Sequence, residues 1–578
     1  MTTPGSDTLE RSITIEDDPV ERRPVVTRRT LLGGIASSVA LAACSDLGPL
    51  NPLPGGTPGS EDPSDPASPS PSESASPEPS PSPSATPTAP PAPGPAPGAP
   101  VEPVLADDQV MHVLRRTTFG PTATMVAAVR DGGVDAYLDA QLAPGDIDDS
   151  ACEQLLSRYP ALERSAREIH DADEDQGGTF AADRALLQAT VLRAVCSERQ
   201  LLEVMAEFWA NHFNVFTPSD DDWGRRTVAD REVYRTHALG RFADLLEASA
   251  KDPAMLHYLN NEQSCFTGDP TSVQENYGRE LLELHTVGVD GGYNEEDVKN
   301  SAYALTGWTV DGDKVFTFKA DCHYVGEVKV MDFTAPNASA EGGQEVGEAY
   351  LDYLAHHPST ATYLATKLAR RFVADTPSEA LVSTLAETYL ENDTEIAPVL
   401  RALFASEAFA ESIGQKTRRP LEDVVATTRA LGMTVLAEPR QGNARTLLDA
   451  AYDLGQAPLN WASPNGYPDV ANVWLSSARL LGSWNYHWDL LEGRYDDWLT
   501  AAADALGELT SDQVTTVGEL TDALIERLIW QQMRDADRQA VIDFTGKAEG
   551  DQLTGADEAD LRKRIVLAIL NSPYHLQR

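Results

Sequence analysis

Beyond about residue 105, apolar residues recur every three or four positions, and alternating patterns are rare. Between residues 183 and 213, Leu187, Val191, Val195, Leu201, Met205 and Phe208 fall with His212 at the spacing of one helix face. Residues 274–287 predict a helix that stops at Gly288, a natural C-cap. Asn294 followed by Asp297 predicts a capped start, with that helix running to Gly307. The same periodicity predicts helices over 359–373, 377–390, 396–409, 421–431, 517–533 and 556–570. Only 314–319 and 327–331 read as strands, and they predict one small hairpin. Segments 401–409 and 567–574 echo each other as helices ending in a Ser-containing turn. The expected fold class is mainly α, a large multi-helical domain with at most a small β-hairpin.

The periodicity vanishes upstream. Residues 45–104 are mostly Pro, Ser, Gly, Ala and Thr, and they cannot bury enough apolar surface to offset the entropy of ordering them. They read as a disordered tether, which in polyproline II form reaches on the order of 100–150 Å. A disposable spacer or a carrier of O-linked sugars has the same composition. Before the tether, Arg28-Arg29 precedes a short apolar run that ends in Leu41-Ala42-Ala43-Cys44. The twin arginine predicts the twin-arginine export machinery as a partner, and the lipobox predicts lipidation of Cys44. The run is shorter than the roughly 20 residues that span a bilayer. The expected organisation is thus a twin-arginine lipoprotein signal over 1–44, a linker over 45–104 and a helical domain over 105–578. The expected location is the outer face of the cytoplasmic membrane or the cell surface, held to the membrane by lipid on Cys44.

Composition narrows the partners. With 45 basic and 90 acidic residues the formal net charge is −45, which repels phosphate backbones and excludes nucleic acid. Cys152, Cys196, Cys265 and Cys322 remain beside Cys44, and outside the cytoplasm they allow two disulfides in any of three connectivities, or stay buried thiols. GxSxG, HExxH, the phosphate-cradling GxxxxGK[ST] and GxGxxG are all absent.

Three polar clusters in apolar surroundings carry the candidate chemistry. His212, in Phe208-Trp-Ala-Asn-His-Phe213, continues an apolar helix face and points inward, as a core histidine, a metal ligand or a general base. On the 274–288 segment, Asn276, Glu280 and Glu283 share one face, and paired carboxylates on a buried face call for a cation. The same segment also reads as a ladder of ion pairs, Glu275–Arg279–Glu283, with His285 turned off that face. The third cluster is Asp321-Cys322-His323-Tyr324, and the rigid turn Pro464-Asn-Gly-Tyr-Pro-Asp469 reads as a pocket wall or a chain reversal. The candidate metal ligands are His212, Glu280, Glu283 and His323, with Glu280, Glu283 and His212 as candidate catalytic residues. An oxygen-rich set of this kind suits a divalent manganese, iron, calcium or magnesium ion more than zinc.

Several blocks in this order resemble the bacterial family called domain of unknown function 1800. They are His112-Val-Leu-Arg-Arg-Thr-Thr-Phe-Gly120, Phe208–Phe213, Glu275-Asn-Tyr-Gly-Arg-Glu-Leu-Leu-Glu-Leu-His-Thr-Val-Gly-Val289, Ala304-Leu-Thr-Gly-Trp308, Lys367-Leu-Ala-Arg-Arg-Phe372, Arg418-Arg-Pro-Leu-Glu422, Pro464–Asp469 and Trp484-Asn485. The resemblance implies a mainly helical exported protein and brings no activity, substrate or catalytic residue with it. The family pattern reads Trp-His-Asp where this chain has Cys322-His323-Tyr324, so one potential ligand of the third cluster is replaced by Tyr324.

Three function classes follow. A metal-dependent hydrolase or oxidoreductase fits the clusters and an export route that carries folded, metal-loaded proteins. A non-catalytic surface module for a glycan, polymer or partner protein fits the tether and Trp461, Trp474, Trp484 and Trp488. A buried ionic network that only fixes helix packing is the third.

Overall fold

The computed structural model describes residues 104–578 apart from 174–175, 218–223, 439–445, 509–513 and 556–557. The predicted signal, Arg28, Arg29, Cys44 and the linker up to residue 103 lie outside the described residues, as does Ala556 at the start of one predicted helix. The domain is mainly α, as expected, and one continuous apolar core runs from Val113 to Tyr574. No helix among the described residues is long and apolar enough to cross a membrane.

Helix starts follow local chemistry closely. Asn294 caps Glu295–Ala304 by accepting from the Glu296 and Asp297 amides, and Asp297 returns a bond to the Asn294 amide. Predicted helices appear as Pro358–Phe372, Glu379–Glu391, Pro420–Ala430, Val517–Ile529 and Glu558–Leu570. Two expected continuities break. The 183–213 face is split into Thr179–Cys196 and Gln200–His212. Asp149 takes the Ser197 hydroxyl at 2.9 Å and the Glu198 amide at 2.7 Å, so local side-chain bonding outcompetes helix propagation. The 396–409 segment likewise ends at Phe404 and restarts as Glu407–Ala410, with Ser406 capping the second piece. The segment it echoes has the same form, since Glu558–Leu570 is followed after Ser572 by Pro573–Leu576.

The single predicted hairpin is corrected to two. Strand β1 (Trp308–Val310) pairs antiparallel with β2 (Phe316–Phe318), and β3 (Val328–Val330) with β4 (Phe333–Ala335). The segments at 314–319 and 327–331 therefore pair with their nearest neighbours and not with each other. Turns at Lys314 and Met331, both at positive φ, close these short loops, which cost less entropy than the longer closure. Of the three possible connectivities, the cysteines take Cys152–Cys196 and Cys265–Cys322.

Helix ends inside a large helical core leave carbonyl oxygens without partners. Here arginines supply the donors. Arg116, fully buried, donates to Phe372 O and Val373 O, each at 3.0 Å, and to Ser412 O at 2.6 Å. Arg115 reaches Ile529 O, Arg226 reaches Ala210 O, Arg429 reaches Val195 O and Arg527 reaches Ala430 O. Apart from Val373 O and Ser412 O, which lie just past helix ends, each acceptor lies in the last turn of a helix, where a cation also complements the dipole. His112, in the same block as Arg115 and Arg116, contacts Phe409 O at 2.7 Å. The 112–120 block is therefore a hub that ties down other helices' ends.

Every residue of Pro420–Ala430 is buried, so this helix is the axis of the domain. Replacing Arg116 with Met would strand three buried carbonyls and is expected to cost about 3–5 kcal/mol in denaturant unfolding. Arg130→Met, which breaks only the exposed pair with Asp108, should cost under about 1 kcal/mol. Equal effects would overturn the capping account.

Candidate functional site

The predicted ligands do not converge. Glu280 and Glu283 are half-buried, Asn276 is exposed, and Arg279 pairs with Glu283 at 3.6 Å and with Glu295 at 2.7 Å. Burial, with Glu283 second, raises the Glu280 carboxyl above its ordinary value. His323 is buried, with Nδ1 at 2.8 Å from Thr306 O and Nε2 at 2.9 Å from Asn337 Oδ1, so both nitrogens are taken. Among the described residues the only group of three or more potential ligands is Asp423, His487 and His575, which the sequence reading did not select.

His212 does point inward, but to a different setting. The expected helix over 274–287 is α-helical only at Glu275–Glu280 and then widens into a π-helical turn, Leu281–His285. Such turns are rare and often occur at functional sites. Gly288 closes it at φ +81°, with its amide on Leu282 O, as the C-cap reading expects. The widened turn carries His285, turned off the Glu283 face, into the core beside His212, with ring centroids 6.2 Å apart. The His285 carbonyl lies 3.1 Å from His212 Nε2. A carbonyl only accepts, so the proton sits on Nε2 and Nδ1 accepts from Lys367 Nζ at 2.8 Å. A metal at His212 would have to displace that ammonium.

Lys367 opens on a cavity of about 180 Å³. Its walls come from four distant blocks: Glu207, Phe208 and Asn211; Tyr363, Lys367, Arg370 and Arg371; Arg419; and Asn465 to Asp469. The Asn211 carboxamide fastens the last of these, donating to Tyr467 O at 2.9 Å and accepting from the Tyr467 amide at 2.7 Å. Gly466 allows this approach. Its φ is +70°, and a Cβ there would sit 2.2 Å from Asn211 O.

The cavity holds four cationic side chains, Lys367, Arg370, Arg371 and Arg419, against two carboxylates, Glu207 and Asp469. Arg419 is committed to Glu207 at 2.8 Å. Arg371 is bound to Glu422 at 2.5 Å through Nη1, but its buried Nη2 makes no hydrogen bond and lies 3.9 Å from Glu207. Burial, helped by Arg370 and only partly offset by Asp469, pulls the Lys367 ammonium down to about 7. Burial, then Lys367, lowers His285 to about 3, and the same causes hold His212 well below its ordinary value. The site thus pairs an amine that is half-neutral at physiological pH with spare guanidinium donors. Sequence reasoning missed it, though the signal was present: Lys367 and Arg370-Arg371 are the only charged residues of their helix, in a chain where bases are scarce.

The aromatics divide. Trp474 is core and Trp461 packs on Tyr467, whereas Trp484 and Trp488 are exposed, four residues apart on Ser477–Leu491 with Leu481.

A mainly helical fold with this cleft at the meeting of the shared blocks defines the class. The family model described as a protein of unknown function, DUF1800, matches residues 112–576, and the chain belongs to that family. No curated protein and no solved structure matches it.

Amine acylation followed by mass spectrometry should modify Lys367 with a midpoint near pH 7, and a midpoint above about 10 would refute its perturbation. The unfolded chain holds a proton on this lysine up to about 10.5, which the fold releases near 7. Stability contributed here therefore rises with pH between those values, and Lys367→Met should remove that slope.

Proposed function

We propose that this protein is an exported, lipid-anchored enzyme of the cell surface that acts on a small anionic substrate in the Lys367 cleft. The observation that carries the reading is the convergence of four sequence-distant blocks on one cavity, with the Lys367 amine held by His212 and Arg371 Nη2 making no hydrogen bond and only a 3.9 Å ion pair with Glu207. Arg370 and Arg371 bind the negative charge. Lys367, giving one hydrogen to His212, keeps its lone pair for the substrate as base or nucleophile. In a protein of net charge −45, a cationic cavity is a selective place for an anion.

The two disulfides support an oxidising compartment, in keeping with the twin-arginine and lipobox reading. Metal-dependent hydrolysis or oxidation at Glu280, Glu283, His212 and His323 receives no support from their placement, because they do not surround a common point. A second reading, a surface module for a glycan, polymer or partner protein, is favoured only by the exposed Leu481, Trp484 and Trp488.

Phosphate, sulfate and small carboxylates should raise the melting temperature of the protein, with Lys367→Met and Arg370→Gln each weakening the anion by about tenfold or more. No anion response in the wild type would sink the cleft assignment. Separately, Cys44→Ser should shift the protein from the membrane to the soluble exported fraction, and replacing Arg28 and Arg29 by Lys should leave it in the cytoplasm. Unchanged fractionation of both variants would refute the anchor and the route.

A further inference from the structure

A second polar centre lies on the other side of the axial helix. Glu422 faces the cluster behind the cleft, and the next residue, Asp423, faces away from it toward His487 of Ser477–Leu491 and His575 of Pro573–Leu576. All three are buried, at 1%, 2% and 3% exposure. Asp423 Oδ1 lies 3.4 Å from His487 Nε2 and 3.6 Å from His575 Nε2. Thr427 Oγ1, one turn along, lies 3.1 Å and 3.0 Å from the same two nitrogens.

We propose that Asp423, His487 and His575 bind one divalent first-row transition metal ion. The first argument is geometric. Bonds of about 2.0–2.2 Å in a tetrahedron separate their ligand atoms by about 3.4 Å, close to the 3.4 Å and 3.6 Å from Asp423 Oδ1 to the two nitrogens.

The second argument concerns protons. His487 Nδ1 lies 2.7 Å from Asn571 Oδ1, an acceptor, and so carries the hydrogen. His487 Nε2 then faces a carboxylate oxygen and a hydroxyl. Thr427 has a single hydrogen to place between two imidazole nitrogens. A metal ion there would replace the protons that Asp423 Oδ1, Thr427 Oγ1 and the two nitrogens otherwise share. An amide oxygen on the distal nitrogen, as Asn571 supplies here, is also how metal-bound histidines are usually oriented.

The third argument is space. Asp423 and His487, though not His575, line a cavity of about 20 Å³ together with Arg479, Ser483 and Asn571, enough for one water-sized occupant on that side of the donors.

Charge limits the affinity and the choice of ion. Asp423 Oδ2 is already engaged by Ser483 at 2.6 Å and Arg479 at 3.3 Å, and Arg418 donates to the His575 carbonyl. These guanidiniums disfavour an ion that depends on several carboxylates, such as calcium or magnesium. Two imidazole nitrogens and one carboxylate oxygen select zinc or iron(II) instead. One open position beside the cavity would let such an ion hold a water molecule.

The test uses the full chain, purified without metal-affinity steps. Elemental mass spectrometry before and after chelation, and melting temperature during titration with Zn²⁺ or, without oxygen, Fe²⁺, should show about one ion per chain and a rise in stability. His487→Gln should weaken retention by about tenfold or more, while Lys367→Met should retain the ion fully, which separates this site from the anion cleft. If the His487 variant does not fold, the wild-type titration decides alone. Substoichiometric metal with no thermal response to either ion would overturn the proposal and leave Asp423, His487 and His575 as a hydrogen-bonded cluster that only fixes helix packing.

Discussion

The domain depends on arginines that are removed from water to serve the ends of helices. A helix buried end-on leaves carbonyl oxygens that neither solvent nor the helix itself can satisfy. Arg115, Arg116, Arg226, Arg429 and Arg527 each reach such an oxygen on another helix. A guanidinium suits the task because it spreads five donors over a planar fork and stays charged. Each such contact fixes both the position and the direction of the helix it ends on, which apolar packing alone does less sharply.

Buried cations in turn need a counterion, and this places Glu422 at the centre. Its carboxylate meets Arg371 at 2.5 Å, Arg578 at 2.7 Å and Arg419 at 3.2 Å, so residues more than 200 positions apart in sequence share one anion. Several guanidiniums around one carboxylate leave residual positive charge. The cleft lies where that residue of charge meets solvent. Its cationic character is thus a consequence of how the core is held together as well as a feature suited to an anionic ligand. Asp423, the next residue on the same helix, organises the opposite side with two histidines, so the axial helix supplies both polar centres.

Much of the fold is legible in the chain because its determinants are local. Asn294 with Asp297, Gly288 after its helix and the three- to four-residue periodicity all act within a turn or two, and each element appears where they place it. The errors have two sources. A distant partner, Asp149, splits the 183–213 segment, and short local turns pair the strands at 314–319 and 327–331 with their nearest neighbours. The π-helical turn at Leu281–His285 rotates His285 into the core, which no count of residues along an ideal helix anticipates.

The candidate site divides along the same line. By itself the sequence determined a mainly helical domain, an inward-facing His212, the family to which the chain belongs and the residue blocks that the site is built from. Only the tertiary structure decided that Glu280 and Glu283 stay half-exposed beside Arg279, that Lys367 meets His212 across 155 residues, and that Asp423 gathers His487 and His575. The physical reason is range. Periodicity and capping are set by backbone geometry over a few residues, whereas the charge state and partners of a buried side chain depend on which helices the core brings against it.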